Sequence, residues 1–302
     1  MRQARFPRRL TPISLLVAAV AFAWFWLTPT SSPDVFGGLP KIEDRWLRLS
    51  THVLQNPGFA VGYNEWYRDA LWVAFRAHAL PPGESHGRRD HFDVDTRTLA
   101  RVSSEDYRAS GFDRGHLAPN FLISRLYGER AQTATFLMSN VTPQKPRLNQ
   151  LLWQRIEEAE ADIVAPHAKE LWVITGPVFD RDERLRSGVE IPVAFYRIWF
   201  DRDAEGAAHA IAFVAPQGVH GDETLTKFVV TVRAVEEKTG LDFFPELSRD
   251  EQDRIESVAA PAYWLIPRFA NAPPRYAENF RDRDAQGRAS AAGAGCAGAA
   301  SE

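Results

Sequence analysis

The chain has 302 residues, a formal net charge of −3, and a single cysteine, Cys296, in an Ala/Gly-rich terminal stretch. One cysteine excludes an internal disulfide framework, and 45% hydrophobic with 25% charged residues excludes a chain that is disordered throughout. Arg2, Arg5, Arg8 and Arg9 supply four of the positive charges, so the remainder carries about −7, which argues against a protein that coats nucleic acid along its length.

In chain order, residues 1–33 hold those four Arg residues, no acid, and an apolar run from Ile13 to Leu27 bounded by Pro12 and Pro29. Fifteen helical residues span roughly 22 Å, short of a ~30 Å hydrocarbon core unless extended by about a turn. Trp24 and Trp26 suit an interfacial belt. The segment reads as an N-terminal signal-anchor or transmembrane helix, with the folded part outside the cytoplasm on the bacterial periplasmic side. A signal peptide cut near Ala21-Phe22-Ala23, giving a secreted protein, and a presequence leading to the mitochondrial inner membrane are the alternatives.

Residues 34–45, with Gly37-Gly38 and Pro40, read as a linker. Strands are expected at 59–63 and 71–77, then a charged loop over 86–95 carrying Arg88 and Arg89, and a turn at Pro119-Asn120. Residues 133–139 read as a buried strand. Residues 148–164 give a helix with Leu148, Leu152, Ile156, Ala159 and Ile163 inward and Gln154, Arg155 and Glu158 outward. Strands follow at 171–175, 195–201 and 209–214. A helix over 223–238 closes at Gly240, and another over 248–258 opens with Ser248 and Glu251 as a capping box. Residues 276–302 read as a disordered tail. No strand-helix-strand alternation recurs, so residues 46–275 are expected to form one α+β domain.

The chemistry concentrates in the string Asp113-Arg114-Gly115-His116, followed by Ser139-Asn140-Val141-Thr142-Pro143-Gln144, Leu148-Asn149-Gln150 and Glu157. Hydrolysing a phosphodiester near neutral pH requires a group that takes a proton from water, and the His116 imidazole is matched to that task. Arg114, at i−2 on an extended chain, shares its side and can bind phosphate. Asn149 offers an amide oxygen to a hard cation, or else caps the helix that begins there. Arg88 and Arg89 are further phosphate candidates, or a solvated loop beside Asp90 and Asp93. Asp113 fixes the turn or holds an Arg. Residues 101–155 contain eight Lys/Arg against four acids, a local positive patch on an acidic body.

This set resembles the DNA/RNA non-specific endonucleases of the endonuclease G type, the DRGH-motif ββα-metal (His-Me finger) nucleases. Asn56-Pro57-Gly58-Phe59, Thr175-Gly176-Pro177 and Lys238-Thr239-Gly240-Leu241-Asp242-Phe243-Phe244 extend the likeness over most of residues 50–265. The resemblance implies a mixed or antiparallel sheet with flanking helices, a general base at His116, and a direct metal ligand at Asn149. It also implies that Asn140 orients the site, that Glu157 orders water beside the metal, and that an upstream Arg, better matched by Arg89 than by Arg88, joins Arg114 at the phosphate. On a regular helix Glu157 lies ~12 Å along the axis from Asn149, so both cannot grip one ion directly. The implied cofactor is Mg²⁺ with Mn²⁺ as a substitute. The implied partners are DNA and/or RNA, a membrane through the N-terminal helix, a homodimer and an inhibitor protein. Two other readings use the same residues: a silent nucleic-acid-binding or tethering protein, and a phosphodiesterase for small or lipid phosphates. The remaining His residues show no zinc spacing, and Gly293-x-Gly295-x-x-Gly298 has no strand before it.

Overall fold

The computed structural model describes residues 35–280 apart from 84–86, 88, 169 and 279. The strands run β1 (Lys41–Ile42), β2 (Thr51–Asn56), β3 (Phe59–Asn64), β4 (Asp69–Ala77), β5 (Asp113–His116), β6 (Val141–Gln144), β7 (Leu171–Val178), β8 (Ala194–Arg202), β9 (Ala208–Pro216), β10 (Val229–Val230) and β11 (Leu241–Asp242), with a short helix α1 (Arg45–Leu49) between β1 and β2. Seven of them form one antiparallel sheet in the order β10-β9-β8-β7-β4-β3-β2. Residues along β3, β7 and most of β8 are buried on both sides of the pleat. Continuous apolar runs of this kind require both faces of the sheet to be covered, and both are.

On one face Phe59, Val61, Phe75, Val173, Phe195 and Trp199 meet helix α2 (Asn120–Thr135) and helix α3 (residues 148–167). On the other, Trp72, Ile174, Ile198 and Phe200 meet Phe243, Phe244 and helix α4 (Val232–Thr239). The architecture is α+β with an antiparallel central sheet. A separate ribbon is made by β5 and β6, paired antiparallel with Asp113 opposite Gln144 and His116 opposite Val141. Thr142 donates its hydroxyl to Asp69 at the start of β4 at 2.7 Å, which ties the ribbon to the sheet.

Helix α3 is anchored through its middle. The guanidinium of Arg197 on β8 is 0% exposed and reaches both carboxylate oxygens of Glu160 at 2.6 Å. Trp199 Nε1 donates to the same carboxylate at 2.6 Å. The Arg197 guanidinium also lies 5.6 Å from the Phe75 ring centre and 5.8 Å from that of Trp153. Burial opposes the charge on Arg197, but Glu160, with help from Glu157, more than offsets it.

Several expectations need correction. Residues 133–139 are not a strand: α2 runs through Thr135 and a tight turn at Met138–Asn140 follows. Pro119 presets the helix entry at φ −72°, Leu122, Ile123, Ala131 and Ala134 make its buried face, and Gly128 at φ 82° kinks it. The β-branched threonines mislead because Thr135 satisfies its hydroxyl on Gln132 O within the helix, at 2.7 Å. The helix expected over 223–238 divides into a turn at Leu225–Phe228, strand β10, and α4, capped by Thr231 and closed by Gly240 at φ 67°. Arg155 does not face solvent: it is buried and donates to the carbonyls of Glu223 and Ala270 at 2.7 and 2.8 Å.

The described part of the expected linker belongs to the domain, since Val35 and Ile42 are buried and Lys41–Ile42 pairs with β11. The start of the expected tail is likewise packed, because Phe280 is buried and meets Arg147. The anchor expected at 1–33, Arg88 and the chain beyond 280 lie outside the described residues. Among those described, no helix is long and apolar enough to cross a membrane.

Removing one partner of a buried ion pair strands the other charge. Glu160→Ala is therefore expected to cost about 3–5 kcal/mol in urea unfolding, most of it recovered in the double variant with Arg197→Met. A loss near zero for the single variant would show that the pair does not hold α3.

Candidate active site

On β5 the side chains alternate, so Arg114 and His116 project to one side and Asp113 and Gly115 to the other. Gly115 is required sterically: any Cβ there would overlap the Gln144 side chain from β6. The His116 ring packs 5.2 Å from Phe92 and edge-on to Phe136 at 5.0 Å. Arg114 lies 5.0 Å over the same Phe92 ring and donates to Ser104 Oγ. One aromatic ring thus fixes the spacing of the imidazole and the guanidinium.

Behind them, Asn140 is fully buried and its amide is spent on backbone. Its Oδ1 accepts from Ala118 N–H at 2.9 Å, and Nδ2 donates to Ala118 O and Thr135 O at 3.1 and 2.9 Å. It braces the turn that follows His116 and offers nothing to a substrate.

Helix α3 supplies the opposite wall. Its opening turn, Leu148–Trp153, is π-wound. Asn149 and Gln150 both donate side-chain N–H to Asp113 Oδ2, at 2.9 and 2.6 Å. Neighbours on a regular α-helix point about 100° apart, so the wider winding helps them converge on one oxygen. Asp113 therefore holds two amides rather than an arginine. Asn149 is not a cap: its own N–H already bonds Lys145 O at 2.9 Å within the helix. With Nδ2 committed to a carboxylate, Oδ1 is the other end of the Asn149 amide, and it accepts no hydrogen bond among the described residues.

One turn and a half further on, Gln154 Nε2 donates to Glu158 at 3.0 Å. Glu157 is 23% exposed as a side chain, yet its Oε1 is sealed from solvent, makes no hydrogen bond, and lies 3.5 Å from Arg197 Nη1. Burial pushes the Glu157 carboxyl up to about 8; Arg197 pulls it down, while Glu160 and Glu158 push it further up.

These walls enclose a cleft of about 1250 Å³ lined by Arg114, His116, Asn149 and Glu157 together. Arg89 does not line it. Its guanidinium is engaged by Thr133 Oγ1 of α2 at 3.2 Å and, within its own loop, by Asp93 at 3.1 Å and the His91 ring at 2.8 Å. Arg108, 3.3 Å from Glu105, and Arg275, 3.0 Å from Glu158, do line the cleft and were not singled out in the sequence. Gln150 was quoted only as part of a motif, and Gln154 was expected to face solvent. Phe92 and Phe136 carry no sequence signal for contact with an imidazole.

Among the described residues, no group of three or more His, Cys, Asp or Glu side chains gathers to cage a metal. The donor that is present suits a hard ion instead, the Asn149 amide oxygen beside the cleft.

A family model described as DNA/RNA non-specific endonuclease matches residues 47–250. The chain belongs to that family. It is 30% identical over 243 residues to a nuclease of Nostoc sp., covering 76% of this chain and 87% of that one. It is 29% identical over 208 residues to human mitochondrial endonuclease G (63% and 68%), and 27% identical over 208 residues to the nuclease of Serratia marcescens (66% and 77%). A crystal structure of the EndoG/EndoGI complex shares the fold, with a TM-score of 0.62 at 24% identity over 74% of this chain and 96% of that one. This chain is thus an endonuclease, an enzyme that hydrolyses nucleic acid.

The raised Glu157 carboxyl makes stability fall with pH. Unfolded, it ionises near 4.5; folded, it keeps its proton to about 8, so the penalty is absent below 4.5, accumulates as pH rises from 4.5 to 8 and is complete above 8. Glu157→Gln is expected to match the parent at pH 4.5 and to gain on the order of 1–2 kcal/mol at pH 8.5, roughly 2–4 °C per kcal/mol, in thermal melts with EDTA. Equal shifts at both pH values would contradict the assignment.

Proposed function

We propose that this endonuclease is Mg²⁺-dependent, with Mn²⁺ as a substitute, and cuts DNA and RNA with little regard to sequence. Its β5–β6 ribbon and helix α3 correspond to the ββα-metal arrangement, His116 to the general base and Asn149 to the protein's metal ligand. The observation that carries this reading is the Asp113 joint, which commits the Asn149 nitrogen and leaves its oxygen in a cleft shared with His116.

Within it, each residue has a task set by its chemistry. The imidazole of His116, braced by Phe92 and Phe136, takes the proton from the attacking water. Arg114 binds the scissile phosphate and stabilises the charge that grows on it during attack. A bound Mg²⁺ would neutralise part of the same phosphate charge from the Asn149 side. Glu157, part-exposed in the cleft wall, orders solvent there rather than gripping the ion. Contacts to phosphate carry no base information, which supports tolerance of sequence.

Nicking of supercoiled plasmid by the full chain tests the proposal. Cleavage is expected with Mg²⁺ and none with EDTA. His116→Ala is expected to lower the rate about 10²–10⁴-fold, and Asp113→Ala about 10–100-fold, with melting curves unchanged in shape. Full cleavage by His116→Ala, or retained binding with no cleavage by the parent, would overturn it.

A further inference from the structure

Among the described residues, eight large apolar side chains are well exposed, and two of them, Phe121 at 47% and Tyr276 at 45%, line the catalytic cleft. Scattered exposed apolar residues need no explanation, but two aromatic rings in the walls of a phosphate-handling cleft are placed where a nucleotide must lie. Phe121 begins α2, five residues after His116, so the chain that positions the base also positions this ring. The Arg125 guanidinium lies 5.9 Å from the ring centre. Tyr276 follows Arg275, whose guanidinium is held by Glu158 of α3 at 3.0 Å. Glu158 and Asp162 on that wall are acidic. Arg275 is paired with Glu158 there, which leaves this wall little net positive charge for a phosphodiester, so a nucleotide resting against Tyr276 gains most through its base.

We propose that Phe121 and Tyr276 form a nucleobase-stacking subsite that engages unstacked bases flanking the scissile phosphate, so that single-stranded or locally melted nucleic acid is bound better than regular duplex. In a duplex each base face is covered by its neighbours, and these rings gain nothing. In a single strand each base has a free face, and stacking on an aromatic ring is tolerant of sequence, in keeping with a non-specific enzyme. The proposal rests on the nuclease reading above for its substrate, and on Phe121 and Tyr276 alone for its preference.

The test compares the full-length enzyme with Phe121→Ala, Tyr276→Ala and the double variant. The substrates are one fluorescent oligonucleotide, the same strand annealed to its complement, and a single strand bearing abasic units around the cut site. On the single strand, KM is expected to rise about tenfold per ring removed, with kcat held and with duplex KM little changed. Phe121→Trp and Tyr276→Trp should retain the parent KM, and the abasic strand should cost the parent what the double variant has already lost. Equal rises on single strand and duplex, no rise at all, or full rescue by Phe121→Leu would overturn the subsite. If the parent cleaves nothing, the nuclease reading fails. Anisotropy of the same oligonucleotides in EDTA then decides the subsite alone, by whether the double variant loses affinity for the single strand selectively.

Discussion

A single carboxylate oxygen joins the two halves of this active site. Asp113 Oδ2 receives N–H from Asn149 and from Gln150, and so locks strand β5, which carries Arg114 and His116, against the first turn of α3. Charge-assisted hydrogen bonds of this kind are the stronger class, and here they also decide which end of an amide faces the cleft. The joint is effective because both sides are held elsewhere. Thr142 and Asp69 fix the ribbon to the sheet, and Glu160 and Arg197 fix the helix to β8. The same buried arginine lies beside Glu157, so the scaffold that positions the helix also sets the chemistry of its second carboxyl.

Much of this was legible in the residues themselves. The helix over 148–164 declared itself through apolar spacing, Ser248 does accept from Glu251 N–H as a cap, and Gly240 does end its helix in the left-handed conformation. The long strands were visible because both faces of the sheet are covered, which makes their apolar runs unbroken. Helix α2 was illegible for a physical reason: Gly128 breaks its period and two threonines, Thr133 and Thr135, give its end the composition of a strand. The site motif was readable as a set of residue types, but its partnerships were not. Nothing in the spacing of Asp113, Asn149 and Gln150 announces that the acid holds two amides, since that depends on π winding at the start of α3.

The local positive patch is thinner than the sequence suggests. Arg155 is buried and spent on carbonyls, Arg147 donates to His220 O at 3.1 Å, and Arg125 donates to Pro81 O. Arg89 is engaged by His91 and Asp93 of its own loop and by Thr133 of α2. What the cleft presents to an anion is Arg114, flanked by Arg108 and Arg275, each beside an acid. An enzyme built this way holds its substrate through a few local contacts and releases it, in keeping with an acidic body around a small cationic centre.

The proposed chemistry depends on where a divalent ion would sit. Crystals grown with Mn²⁺ and recorded for anomalous scattering test that directly. One strong peak is expected beside Asn149 Oδ1, within the cleft that holds His116, with Asp113 still receiving both amide N–H groups. A peak on the Asp113 carboxylate, with Asn149 turned away, would contradict it.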